Sequence, residues 1–271
     1  IALFGKINSE VAPLALSGSG TEDSPYEVSS AEDWAAVCEK ANYGSLKVHV
    51  KLTDNIDLSA TSFTSVTLYA SLNGDGHTIS GLTKPLFNGL NGATVKNLAI
   101  VGADITGDSG KNVGILANST SSGTITIQNC YVSGSITGSG NGIGGLIGQV
   151  GATTTIQNCA ADVTVKNTRT GGYAYGVGGL AGYVTNSNQL TISHCYATGT
   201  AITGARGAGG LVGAAPGDRT IAVNYGVALQ SEVSNGNNKI YEGRLAGGSY
   251  FAGSTFTDDY AYTDMKGAMQ D

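Results

Sequence analysis

Apolar and polar residues alternate in short runs along most of the chain. The runs are rich in Thr, Ile and Val and bounded by Gly and Ser, as in Cys130-Tyr131-Val132 continuing to Ile136. A period of two with β-branched residues predicts strands. The stretch from Ser30 to Ala41 has a helical period instead. Ser30 is suited to an N-cap, Glu32 and Asp33 to a first turn, and Trp34, Val37, Cys38 and Ala41 to one apolar face, so a helix is predicted over 30–41.

The strands belong to a repeat. One phrase recurs as Gly144-Gly145-Leu146, Gly178-Gly179-Leu180 and Gly209-Gly210-Leu211, with degenerate copies at Gly114-Ile115-Leu116 and around Leu245. A second, T-I-x-N-C, runs from Thr126 to Cys130, Thr155 to Cys159 and Thr191 to Cys195, with His194 in place of Asn. Taking Leu98, Cys130, Cys159, Cys195, Tyr225 and Tyr260 as markers gives spacings of 32, 29, 36, 30 and 35 residues. Units of this length with three short strands and no intervening helix suit a parallel stack, each strand pairing with its copy in the next unit ~4.8 Å away. The predicted fold class is therefore all-β, a single-stranded right-handed parallel β-helix (solenoid) with a short N-terminal capping helix. The helix is expected to cover core and strand edges that the end of a stack exposes.

Within a unit, Ile127, Cys130 and Val132 are expected to point inward, so the period of two breaks at Asn129. Asn tolerates left-handed backbone, which predicts a bend there. Asn97, Asn129, Asn158, His194, Asn224 and Asp259 would then form a ladder. Leu116, Leu146, Leu180, Leu211 and Leu245 would line one inner wall. The paired glycines imply either positive φ or a close approach of backbone between faces.

The GGLIG, GGLAG and GGLVG phrases resemble the GLUG repeats of bacterial surface proteins. The opening from Gly18 to Val28 and the phrase from Leu72 to Ile79 resemble other parts of such β-helical regions. The likeness covers roughly 17–271, leaving 1–16 as a lead-in segment, with GLUG-like repeats at about 94–265. Such repeats occur in adhesin-like proteins and beside the protease domain of some large secreted IgA-cleaving enzymes. The resemblance implies an extracellular bacterial setting and no catalytic residues belonging to the repeat itself.

Composition narrows the function classes. Glycine reaches 42 of 271 residues without a three-residue period, which excludes collagen. A net charge of −6 with 14 thinly spread Lys and Arg supplies no basic stripe, so nucleic acid is not an expected partner. No run of about 18 apolar residues is present, so no membrane-spanning helix is predicted. The start at Ile1 without Met suggests a leader removed by processing, and a monomer is expected.

Candidate chemistry is sparse. Cys130, Cys159 and Cys195 share one repeat position with Leu98, which describes a core slot for free thiols; a bridge between stacked copies would have poor geometry. No CxxC or paired His accompanies them, so no metal or other cofactor is expected. His77 lies in a turn-like phrase and His49 alternates with Val48 and Val50 toward the outer face. Gly176-Val177-Gly178-Gly179 superficially matches a dinucleotide fingerprint but is one copy of a strand repeat. A glycosidase needs a carboxylate pair at defined separation, and the adjacent aspartates are Asp258-Asp259 in the degenerate last unit. A lyase needs a base, and Arg169, Arg206, Arg219 and Arg244 are scattered.

The expected function is a secreted or cell-surface, adhesin-like binding or structural module, non-catalytic, with a polysaccharide or a host-surface glycan or protein as partner. The alternatives are a polysaccharide lyase or glycoside hydrolase on the same fold, or an inert spacer of a larger surface protein. Insertion between units places the site. From each GGL leucine to the next marker the intervals are nearly constant at 14, 13, 15, 14 and 15 residues, whereas from marker to leucine they are 18, 16, 21, 16 and 20. The two longest connections would project as loops two units apart, bounding a notch with Arg169, Tyr173 and Tyr175 on one side and Lys239, Tyr241, Glu242 and Arg244 on the other.

Overall fold

The structure is a computed structural model that describes residues 16–169, 176–185, 190–203, 207–215, 220–234, 242–247, 254–261 and 263–265. The described chain is all-β apart from one helix. Its strands lie in three sheets, and every strand-to-strand ladder is parallel.

One unit shows the plan. Thr124–Gln128 and Tyr131–Gly138 belong to the largest sheet, Gly142–Gly144 to a five-stranded sheet and Ile147–Val150 to a seven-stranded one. Each pairs in register with its copy one unit on, Thr124 with Thr153, Tyr131 with Ala160, Ile143 with Val177 and Ile147 with Ala181. A unit thus has four strand segments where the sequence pattern suggests three, because the glycine phrase divides the third.

The bends follow from residue chemistry. Asn97, Asn129, Asn158 and His194 all have φ between 52° and 55°, the left-handed region that Asn tolerates and most side chains avoid. The ladder continues differently from the sequence expectation. Ser193 pairs with Asn224 and Cys195 with Gly226, so Tyr225 (φ 56°) occupies the bend, followed by Asp258 (φ 54°). Asn224 and Asp259 lie one residue to either side.

Leucine marks the opposite inner wall. The Leu116 amide donates to the Leu146 carbonyl, Leu146 to Leu180, Leu180 to Leu211 and Leu211 to Leu245. The first four are buried, and Leu245 is partly buried against them. The glycines beside them are there for space, not positive φ: a Cβ on Gly179 would fall 2.3 Å from the Gly210 carbonyl oxygen, and one on Gly145 2.0 Å from that of Gly179.

The helix, Ala31–Glu39, packs beside Tyr26–Val28, the first strand in the order of the largest sheet. Ser30 is its N-cap, accepting a 3.1 Å hydrogen bond from the Asp33 amide. Trp34, Val37 and Cys38 are buried, and Trp34 meets Phe63 and Phe87 edge-on at 6.5 and 5.9 Å. The helix stops before Ala41, which lies partly buried against the core.

Candidate functional site

Of the residues predicted to bound the notch, the structure describes Arg169, Arg244 and the backbone of Glu242. The Arg169 guanidinium donates to the Asn141 side chain at 2.9 Å, and its amide to Asn167 Oδ1 at 2.9 Å. Asn167 is itself buried and donates to the Gly140 carbonyl. Arg169 is thus tied to the preceding unit. Glu242–Gly243 pairs with Ala208–Gly209, and the Arg244 carbonyl accepts from the Gly210 amide at 3.1 Å. Arg244 Nε is buried and finds no hydrogen-bond partner among the described residues. Tyr173, Tyr175, Lys239 and Tyr241 lie outside the described residues, and Glu242 is described by its backbone alone.

The thiols stack inside. Cys38, Cys130, Cys159 and Cys195 are free and buried. The Cys130 amide points at Cys159 Sγ (3.4 Å) and the Cys159 amide at Cys195 Sγ (3.3 Å). The thiols of Cys130, Cys159 and Cys195 each also point at the carbonyl two residues before, as Cys159 does to Gln157 at 3.1 Å. Hydrogen bonding to its two sulfur neighbours and burial push the Cys159 thiol far above the ordinary range, which suits a packing group and not a nucleophile. Among the described residues no three His, Cys, Asp or Glu side chains gather as a metal site.

Asp259 takes over the thiol's place in the last described unit. It stands opposite Gly226, and its Oδ1 accepts from the Gly226 amide at 2.6 Å. Burial raises its pKa. The adjacent aspartates are therefore divided, Asp258 at the bend and Asp259 engaged with the neighbouring unit.

A cleft of about 300 Å³ lies between Lys84, Asn88, Asp108, Lys111, Asn112 and Asn118, at the small end for a ligand pocket. Asn88 and Asn118 in its lining stand at the register position that Gly148, Gly182 and Gly213 fill in later units. Lys84 is already engaged, donating to the Phe63 carbonyl and lying 4.5 Å over the Phe63 ring.

A second concavity is a trough along the Asn bend, lined by Asn97, Asn129, Asn158 and His194 and by Tyr131, Ala160 and Tyr196 on the strands that follow. The amides join end to end: Asn97 donates to Asn73 (3.1 Å), Asn129 to Asn97 (2.9 Å) and Asn158 to Asn129 (3.1 Å). His194 continues the column by stacking on Tyr225, ring centroids 4.8 Å apart. The spacing of the Asn residues announces this column, but nothing in the sequence pattern alone singles out the tyrosines beside it.

Residues 139–166 and 173–203 match the model of the GLUG motif. Residues 48–134 match the model of the M26 IgA1-specific metallo-endopeptidase N-terminal region. Among curated relatives, the immunoglobulin A1 protease of Streptococcus sanguinis is 33% identical over 162 residues, 58% of this chain and 8% of its own length. Halomucin of Haloquadratum walsbyi is 38% identical over 163 residues, 50% of this chain and 2% of its own. The immunoglobulin A1 protease of Streptococcus pneumoniae is 32% identical over 183 residues, 66% of this chain and 9% of its own. The chain therefore spans less than a tenth of the length of these relatives. Two solved structures share the fold at 23% identity. One, from Bacteroides ovatus and described as a candidate immunoglobulin A1 protease, has a TM-score of 0.75 and covers 92% of this chain and 78% of that one. The other, an IgA1 protease, has a TM-score of 0.66 and covers 88% and 20%.

Proposed function

We propose that this GLUG-motif chain is an extracellular, non-catalytic module of a larger bacterial surface protein, built as a right-handed parallel β-helix that binds polysaccharide or a surface glycan. The observation that carries this reading is the register. Four strand segments of one unit pair with the same four of the next, so equivalent outward residues recur every ~4.8 Å, a surface suited to a polymer. Parallel crossovers are right-handed in nearly all proteins, which supports the hand. The family match to an N-terminal region, and the small share of each curated relative that is covered, support a module accompanying other domains.

Two observations favour binding over cleavage. A glycosidase pair must flank its substrate, whereas Asp259 is bonded to the Gly226 amide and Asp258 sits at the bend. A lyase base must reach a substrate proton, whereas the Arg169 guanidinium is bonded to Asn141. The test is a glycan array run beside product assays. Array signal is expected without new reducing ends or unsaturated products, and with the IgA1 heavy chain left intact by the purified chain. Product release from any bound glycan, or cleavage of IgA1, contradicts the reading.

A further inference from the structure

Resting on the reading of the chain as a glycan-binding module, we infer that its ligand is a neutral, extended β-linked polysaccharide lying along the stacking direction on the outer face that carries Tyr131, Tyr196 and Tyr260. These tyrosines form one row. Tyr131 pairs with Ala160, Ala160 with Tyr196, Tyr196 with Val227 and Val227 with Tyr260. A tyrosine therefore recurs at every second unit, ~10 Å apart by the strand spacing, with a small or branched residue between. Tyr196 is 44% and Tyr260 68% exposed, whereas Ala160 between Tyr131 and Tyr196 is 7% exposed.

That spacing is the length of a disaccharide in an extended β-linked chain. Successive rings of such a chain turn opposite faces to one side, so the same face returns at every second ring. Each returning face can lay its C–H groups on the electron-rich face of a tyrosine. Hydroxyl partners flank the row. On one side the exposed Asn129 and Asn158 each use one amide N–H in the ladder and keep the other. On the other side stand Ser133, Asp162 and Thr198, in register with one another.

Charge selects the class of glycan. The strands of this face, Ala99–Thr106, Tyr131–Gly138, Ala160–Asn167, Leu190–Thr203, Ile221–Ala228, Glu232–Ser234 and Tyr260–Ala261, bring the carboxylates of Asp104, Asp162 and Glu232 against the one ammonium of Lys166 among them. A polyanion meets net repulsion there, and an uncharged chain does not.

The experiment is calorimetric titration of the whole chain with cellohexaose and chitohexaose, their disaccharides, and hexagalacturonate. A neutral hexasaccharide should bind at least tenfold tighter than its disaccharide, and hexagalacturonate more weakly. Tyr131→Ala with Tyr196→Ala should weaken the hexasaccharide at least tenfold with circular dichroism unchanged, and Tyr196→Ser alone serves if the double variant folds poorly. Tyr43→Ala, at a fully exposed site elsewhere, should change nothing. Hexasaccharide affinity unmoved by either row variant, or hexagalacturonate bound most tightly, overturns the inference while leaving a glycan-binding module. Loss of affinity in Tyr175→Ala with Tyr241→Ala, and not in the row variants, moves the site to the loops. No binding by any neutral or acidic glycan overturns both readings.

Discussion

At Asn158 the backbone takes a φ of 52° while the side chain donates to Asn129 at 3.1 Å. Two demands meet there and can be separated. Asn158→Gly keeps the backbone and removes the amide, whereas Asn158→Val also forces a β-branched residue into the left-handed region, at a further cost of about 1–2 kcal/mol. The valine variant is expected to melt clearly below the glycine variant, and equal midpoints would remove strain from the account. The first four positions of this column are legible in sequence because Asn or His precedes a Leu or Cys core residue each time. The last two are not. The core slot holds Gly226 and Asp259 there, so the apolar marker is lost and Tyr225 and Tyr260 take its place in the pattern.

The cysteines give a second test at this scale. Unfolded, unreduced protein should titrate with four thiols, and fewer would reveal a bridge. Burial pushes the Cys38 thiol up to about 12. Between the ordinary thiol value and about 12 the native chain keeps a proton that the unfolded chain has released. Stability from this source is therefore full below about pH 8.5 and falls as pH rises toward 12. Urea midpoints should decline over that window, and less steeply in Cys38→Ala; parallel curves would show that Cys38 does not contribute.

At the scale of elements, the glycine-leucine phrase works by allowing backbones to touch. Gly179→Ala places a methyl 2.3 Å from a backbone oxygen that cannot rotate away, which should cost about 1–3 kcal/mol as overpacking. Gly89→Ala is the control, since its nearest neighbours are Thr67 side-chain atoms at 3.4 Å. Leu180→Ala should cost about 2–5 kcal/mol as a cavity in the middle of the leucine wall. Denaturant unfolding of the three variants checks these values, and a Gly89→Ala as damaging as Gly179→Ala would contradict the close-approach explanation. Here the sequence pattern left two explanations of the glycines open, and only the packing distances choose between them. The helix was legible to within its last turn, because its cap and its apolar stripe are both local signals.

At the scale of the whole molecule, the repeat and its parallel pairing were legible because each unit restates the same bends. The candidate site was less so. Insertions between units point to loops, and most of the loop residues lie outside the described chain. The tyrosine row depends instead on register between units, so it emerges only once Tyr131, Ala160 and Tyr196 are known to be neighbours. The central claim is that the chain is a stack of equivalent units, and deletion of one unit tests it most directly. Removing residues 131–159 joins Cys130 to Ala160 and takes out one period of 29 residues, so every remaining strand keeps a partner in phase. Removing 131–145 joins Cys130 to Leu146 and puts the rest out of phase. Thermal unfolding followed by far-ultraviolet circular dichroism should show one cooperative transition for the whole-unit deletion and none for the half-unit deletion. Loss of the transition in both, or its survival in both, would contradict the stacked-unit account.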